Sequence, residues 1–176
     1  MVMTKPIRVL LADDHPVVRV GLRNMLQVDP KIQVVGEARD GVEALELAHK
    51  LHPDILLLDL AMPNVAGMEA LREMTATSLN TRTVVLTGLI EKRQVLEALQ
   101  LGARGVVLKD AIVEHLTACI RAVMQGQYWL DGHPVQNLVQ VLRDLTTQTA
   151  PPPRRTFGLT ARAILVHRDL GDPGTE

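Results

Sequence analysis

Three aspartates, a threonine and a lysine are the side chains of this sequence whose types and spacing could do chemistry together. Asp13 and Asp14 follow the apolar run Ile7 to Leu11, and Asp59 follows Ile55 to Leu58. Thr87 follows Val84 to Leu86, and Lys109 follows Val106 to Leu108. Carboxylates gathered in this way repel one another unless a cation sits among them. Hard oxygen ligands in a partly open arrangement suit magnesium, which keeps several waters and is completed by a phosphate-bearing substrate. A carboxylate beside such an ion can attack phosphorus, because the metal screens the repulsion between two anions and orients an in-line approach. Asp59 is the best-placed nucleophile, the first polar group after four apolar residues, with Met62-Pro63 then turning the chain away. Lys109 supplies a point charge, and Thr87 a hydroxyl, for the charge that builds on the phosphoryl oxygens.

Other chemistry-bearing residues fall away. Asp54 precedes its apolar run and reads as a strand-opening residue at the opposite edge. His15 beside two carboxylates invites a zinc reading. No second histidine or cysteine lies nearby at ligand spacing, however, and Pro16 marks a helix start. Cys119, the one cysteine, shares a helix face with Ile112, Leu116 and Val123 and reads as a core thiol.

The elements that must position these groups are legible as periodicity. Five short runs rich in Val, Ile and Leu read as buried strands: Ile7 to Leu11, Ile32 to Val35, Ile55 to Leu58, Val84 to Leu86 and Val106 to Leu108. Between them, Val18, Leu22 and Met25, then Val42, Leu45 and Ala48, then Val95, Ala98 and Leu99 carry helical spacing. Alternating strands and helices predict an α/β fold, a doubly wound five-stranded parallel sheet covered on both faces. Ligands of such sheets collect outside the carboxyl ends of the strands, which is where all five reactive residues fall. A last helix from about Ala111 to Gln125, ended by Gly126, closes a compact domain over residues 1–127. Residues 128–157 read as a linker helix, Val135 to Leu145, and an extended connector containing Pro151, Pro152 and Pro153. Residues 158–176 remain as a short tail.

Composition agrees with a packed domain: of 176 residues, 47% are hydrophobic and 22% charged. A net charge of -1 leaves no overall basic field for nucleic acid or anionic membrane. The first apolar run is too short for a signal sequence or a membrane span, so a cytoplasmic protein with no membrane partner is expected.

Four segments, in order, resemble the receiver domain of response regulators of the NarL/FixJ (LuxR) type: VLLADDHPVVRVGLRNML, DILLLDLAMPNVAGMEAL, VVLTGL and GARGVVLKD. The resemblance covers about Ile7 to Leu145 and implies a flavodoxin-like receiver fold. It implies a sensor histidine kinase whose phosphohistidine donates to Asp59, and a magnesium ion held by Asp14, Asp59 and the carbonyl of Ala61, with Asp13 acting partly through water. Thr87 and Lys109 would hold the phosphoryl oxygens. A phosphorylation-enhanced homodimer is a further expectation. Such a protein phosphorylates and dephosphorylates itself and is not an enzyme with external turnover. An aspartyl phosphatase would want a second acid two residues after its nucleophile, where this chain has Ala61.

Two departures stand out. The family's aromatic switch residue corresponds to Val106, and no Phe, Tyr or Trp precedes Tyr128. Signalling is therefore expected to run through Thr87 and aliphatic packing. After Leu159-Thr160-Ala161-Arg162, which resembles the start of the family's DNA-binding domain, too few residues follow for a helix-turn-helix. The tail thus reads as a truncated or frame-shifted vestige, with DNA binding not expected of this chain. The competing reading is a phosphorylation-independent interaction module of the same fold.

Overall fold

The computed structural model describes residues 5–62, 67–77, 79–88, 91–130, 132–136 and 139. Five strands run parallel: β1 (Ile7–Ala12), β2 (Ile32–Ala38), β3 (Ile55–Asp59), β4 (Arg82–Thr87) and β5 (Gly105–Leu108). The helices between and after them are α1 (Pro16–Leu26), α2 (Gly41–Leu51), α3 (Gly67–Ala76), α4 (Lys92–Gln100) and α5 (Ile112–Met124), the last preceded by a 3-10 turn over Lys109–Ala111.

Strand side chains alternate between two cores, the period of two that a pleated strand imposes. Leu10, Leu56, Leu58, Val85 and Val106 face α2, α3 and α4. Val9, Leu11, Ile55, Leu57, Val84, Leu86 and Val107 face α1 and α5. The apolar runs are continuous because both faces are covered. Cys119 is fully buried in the second core, and burial pushes its thiol pKa far up.

The strand order is β2-β1-β3-β4-β5-β6-β7, so the five expected strands are extended at one edge by two more. Tyr128–Leu130 forms β6, parallel to β5 through Gly105 and Trp129, and His133–Val135 forms antiparallel β7. Both fall in the stretch assigned to the linker; Val135, expected to open a helix, closes a strand instead. Buried Trp129 anchors the addition, its amide donating to the Arg104 carbonyl at 3.0 Å. The rest of the expected linker helix, apart from Gln136 and Val139, lies outside the described residues, as do the proline-rich connector and the tail.

Local signals set the helix starts. Extended His15 followed by Pro16 opens α1, since proline fixes the helical φ where no amide partner is needed. Asp40 caps α2 by accepting the Glu43 amide at 2.9 Å. Gly67 lets α3 approach β3: a Cβ there would collide with the Asp59 carbonyl and the Leu60 Cα. Asp54 sits at the opposite edge, its Oδ2 accepting the Arg8 amide at 2.8 Å and its carbonyl the Arg82 amide at 2.9 Å. It ties β1, β3 and β4 at their starts, as a strand-opening residue should.

Candidate functional site

Parallel register brings the reactive residues to one edge. Ala12 lies opposite Leu58, Asp59 opposite Leu86, and Thr87 opposite Leu108. Asp13 and Thr87 therefore sit at or just past the ends of β1 and β4, the strands flanking β3, Lys109 just past the end of β5 beside β4, and Asp59 is the final residue of β3. Asp13 is fully buried, and Asp59 and Thr87 are nearly so, while the Asp14 side chain keeps 27% of its exposure.

The Lys109 ammonium joins the two buried carboxylates, donating at 2.8 Å to Asp13 Oδ2 and at 2.8 Å to Asp59 Oδ2. The other oxygens are held by backbone: the His15 amide donates to Asp13 Oδ1 at 2.8 Å and the Ala61 amide to Asp59 Oδ1 at 3.1 Å. Arg19 reaches back from α1 to the Asp13 carbonyl at 2.6 Å, fixing the loop that carries the acidic pair. Burial is the largest single influence on Lys109 and works to lower its pKa. The hydrogen bonds and charges of Asp13 and Asp59 together outweigh it, and the ammonium is held above the ordinary lysine value.

His15 enters this cluster by its side chain as well. Its Nδ1 lies 3.2 Å from Asp13 Oδ1 and 2.8 Å from Asp14 Oδ1, the second contact without the alignment of a hydrogen bond. Asp14 Oδ1 is consequently a buried oxygen with no hydrogen-bond partner, and such an atom is costly unless something else satisfies it. Ligand atoms of Asp13, Asp14, His15 and Asp59 all lie within 4.8 Å of one another. Three of the four are carboxylates, so the donor set fits a hard divalent cation such as magnesium. The sequence located Asp13, Asp14, Asp59 and Lys109 in this cluster. It gave no sign of the direct Lys109–Asp13 bond, which spans 96 residues, or of Arg19. For His15, adjacency to Asp14 and the helix-opening proline was the usable signal.

Comparison with known proteins agrees with this geometry. The family model described as the response regulator receiver domain matches residues 9–121. The nitrate/nitrite response regulator protein NarL of Escherichia coli is 40% identical over 123 residues, covering 70% of this chain and 57% of that protein. The chain thus spans little more than half the length of that relative. The signal receiver domain of a NarL response regulator from Mycobacterium tuberculosis superposes with a TM-score of 0.62 at 37% identity, covering 67% of this chain and 98% of that one. A two-component response regulator of the LuxR family from Aurantimonas sp. SI85-9A1 does so at 0.70 and 30% identity, covering 81% and 99%. Among the described residues no helix is long and apolar enough to cross a membrane. An acidic edge closed by a strand-end lysine, on this sheet order and with these relatives, means that the chain belongs to the response regulator receiver family, in its NarL/LuxR branch.

Proposed function

We propose that Asp59 accepts a phosphoryl group from the phosphohistidine of a sensor histidine kinase in a magnesium-dependent reaction. The observation that carries this reading is the Lys109 ammonium, 2.8 Å from a nearly buried Asp59 carboxylate and shared with Asp13. An Asp59 oxygen attacks phosphorus, the P–N bond to the kinase imidazole breaks, and an acyl phosphate forms with the imidazole as leaving group. Lys109 stays beside the transferring oxygens as a fixed cation, and the Thr87 hydroxyl at the end of β4 donates to them. Asp13, Asp14, Asp59 and the Ala61 carbonyl would hold magnesium, which when bound screens charge between the carboxylate and the incoming phosphate.

Added charge at Asp59 draws Lys109 and Thr87 toward it and biases the surface that α4 and β5 present. With Val106 in the aromatic position, that bias runs through Val106, which shares a core with Val95 and Ala98 and borders a small gap together with Thr87. The kinase is the expected partner, phosphorylation strengthens a homodimer, and transcription is the output of the pathway. No DNA contact is assigned to the described residues, and the cytoplasm is the expected compartment. Labelling by acetyl phosphate followed by neutral hydroxylamine tests the linkage. Loss of the label is the behaviour of an acyl phosphate, and a hydroxylamine-stable label would place the phosphoryl group elsewhere. Light scattering that finds one unchanged mass before and after phosphorylation would remove the homodimer from this reading.

A further inference from the structure

At the sheet edge opposite Asp59, a cleft of about 590 Å³ opens between the end of α3 and the starts of β4 and β5. That volume lies within the roughly 300–1,000 Å³ of small-molecule sites. Its chemistry is asymmetric. On the β5 side the exposed Arg104 guanidinium stacks over Tyr128, 4.8 Å from the ring centroid, and donates to the Tyr128 hydroxyl at 2.7 Å. Among the described residues it meets no carboxylate, so most of its donors remain available at a preset orientation.

On the β3 side two of the lining hydroxyls have already donated. Thr77 Oγ1 gives its proton to the Met74 carbonyl at 2.7 Å, and Thr81 Oγ1 to the Pro53 carbonyl at 2.7 Å. Each therefore turns only lone pairs toward the cleft. Asp54 adds a carboxylate with one oxygen committed to the Arg8 amide. A ligand matching these walls needs an anion at one end and hydroxyl donors at the other. Asp54 stands before β3, two strand spacings or roughly 10 Å from Arg104 before β5, and Thr81 before β4 lies between them. Arg82 also borders the cleft but turns one guanidinium nitrogen to Met124 Sδ, 3.5 Å away on the other face of the sheet.

We propose that this cleft binds the phosphate monoester of a sugar, with phosphate on Arg104 and sugar hydroxyls donating to Thr77, Thr81 and Asp54. The Asp54 carboxylate repels the phosphate from its own end and fixes the orientation. This site is separate from the phosphoacceptor edge and does not depend on how Asp59 reacts.

The test is amide NMR on the full chain, without magnesium, titrated with ribose 5-phosphate, AMP, ribose and inorganic phosphate. The expected result is a saturable shift of the Thr77, Thr81, Arg104 and Tyr128 amides with ribose 5-phosphate, and much weaker responses to ribose or phosphate alone. AMP binding equally well assigns a nucleotide as the source, and AMP failing where ribose 5-phosphate succeeds assigns a free sugar phosphate. Arg104→Gln should weaken binding about tenfold or more, the worth of a charge-assisted pair. Thr81→Val, which removes one acceptor without touching charge, should weaken it too and serves if the Arg104 variant does not fold. No saturable shift, equal binding by inorganic phosphate, or shifts confined to residues near Asp59 and Lys109 would overturn the proposal.

Discussion

Lys109 Nζ lies 2.8 Å from both Asp13 Oδ2 and Asp59 Oδ2, so one ammonium holds together two buried carboxylates that would otherwise repel. Lys109→Ala removes the ammonium that bridges the two carboxylates and leaves both anions in place. Because Lys109 keeps 24% of its exposure, the cost is expected between those of an exposed and a fully buried pair, about 1–3 kcal/mol. Urea unfolding should show that saturating magnesium recovers more stability in the variant than in the parent; equal recovery would contradict this account. Since folding raises the Lys109 pKa, its contribution is complete below the ordinary value of 10.5 and is lost as pH climbs through the raised one.

The unsatisfied Asp14 Oδ1 carries a second expectation. Magnesium should raise the melting temperature of the parent in a concentration-dependent way, since a ligand of the native state stabilises it by mass action. Asp14→Ala should flatten that response while leaving the fold intact by circular dichroism. An unchanged magnesium dependence in the variant would remove Asp14 from the ligand set.

How much of this was legible follows from where each signal is written. The β3 run from Ile55 to Leu58 is wholly buried, and the residue after it is the expected nucleophile, because a strand covered on both faces must be apolar until it emerges. Strands β6 and β7 escaped because three residues each are too short to show a period. Their place depends on Trp129 meeting Gly105, a pairing decided in three dimensions. The irregular register between β1 and β2, where Val9 faces Val34 but Leu10 faces Gly36, is likewise invisible in composition. The cluster was foreseen as acidic, whereas its closure by Lys109 is a tertiary contact.

Val106 tests aliphatic coupling. It is buried beside Thr87, Val95 and Ala98, around a gap too small for water. Val106→Ala enlarges that gap and is expected to cost about 1–2 kcal/mol in urea unfolding. Phosphoryl acceptance at Asp59 should persist, because Val106 supplies none of the polar groups assigned to the transfer. A variant of full stability would show that this packing is not tight enough to transmit anything.

Asp29 governs part of the acid response. The Lys31 amide, 3.0 Å from its Oδ1, and the Arg121 guanidinium hold its carboxyl below the ordinary 3.8. A depressed carboxylate stabilises the fold above its unfolded value and ceases to do so as pH falls through the folded one. Asp29→Asn should therefore be less stable than the parent at neutral pH, with the difference closing below about pH 3.8. A difference that stayed constant across that range would mean that packing, not charge, explains the effect.

Mass spectrometry of the intact protein after incubation with acetyl phosphate and magnesium bears most directly on the central claim, run beside Asp59→Asn and a magnesium-free sample. A single phosphoryl addition in the parent, absent from both controls, is the predicted result. An addition that survives Asp59→Asn, or none in the parent even with candidate kinases, would contradict it and leave an interaction module of the same fold as the better reading.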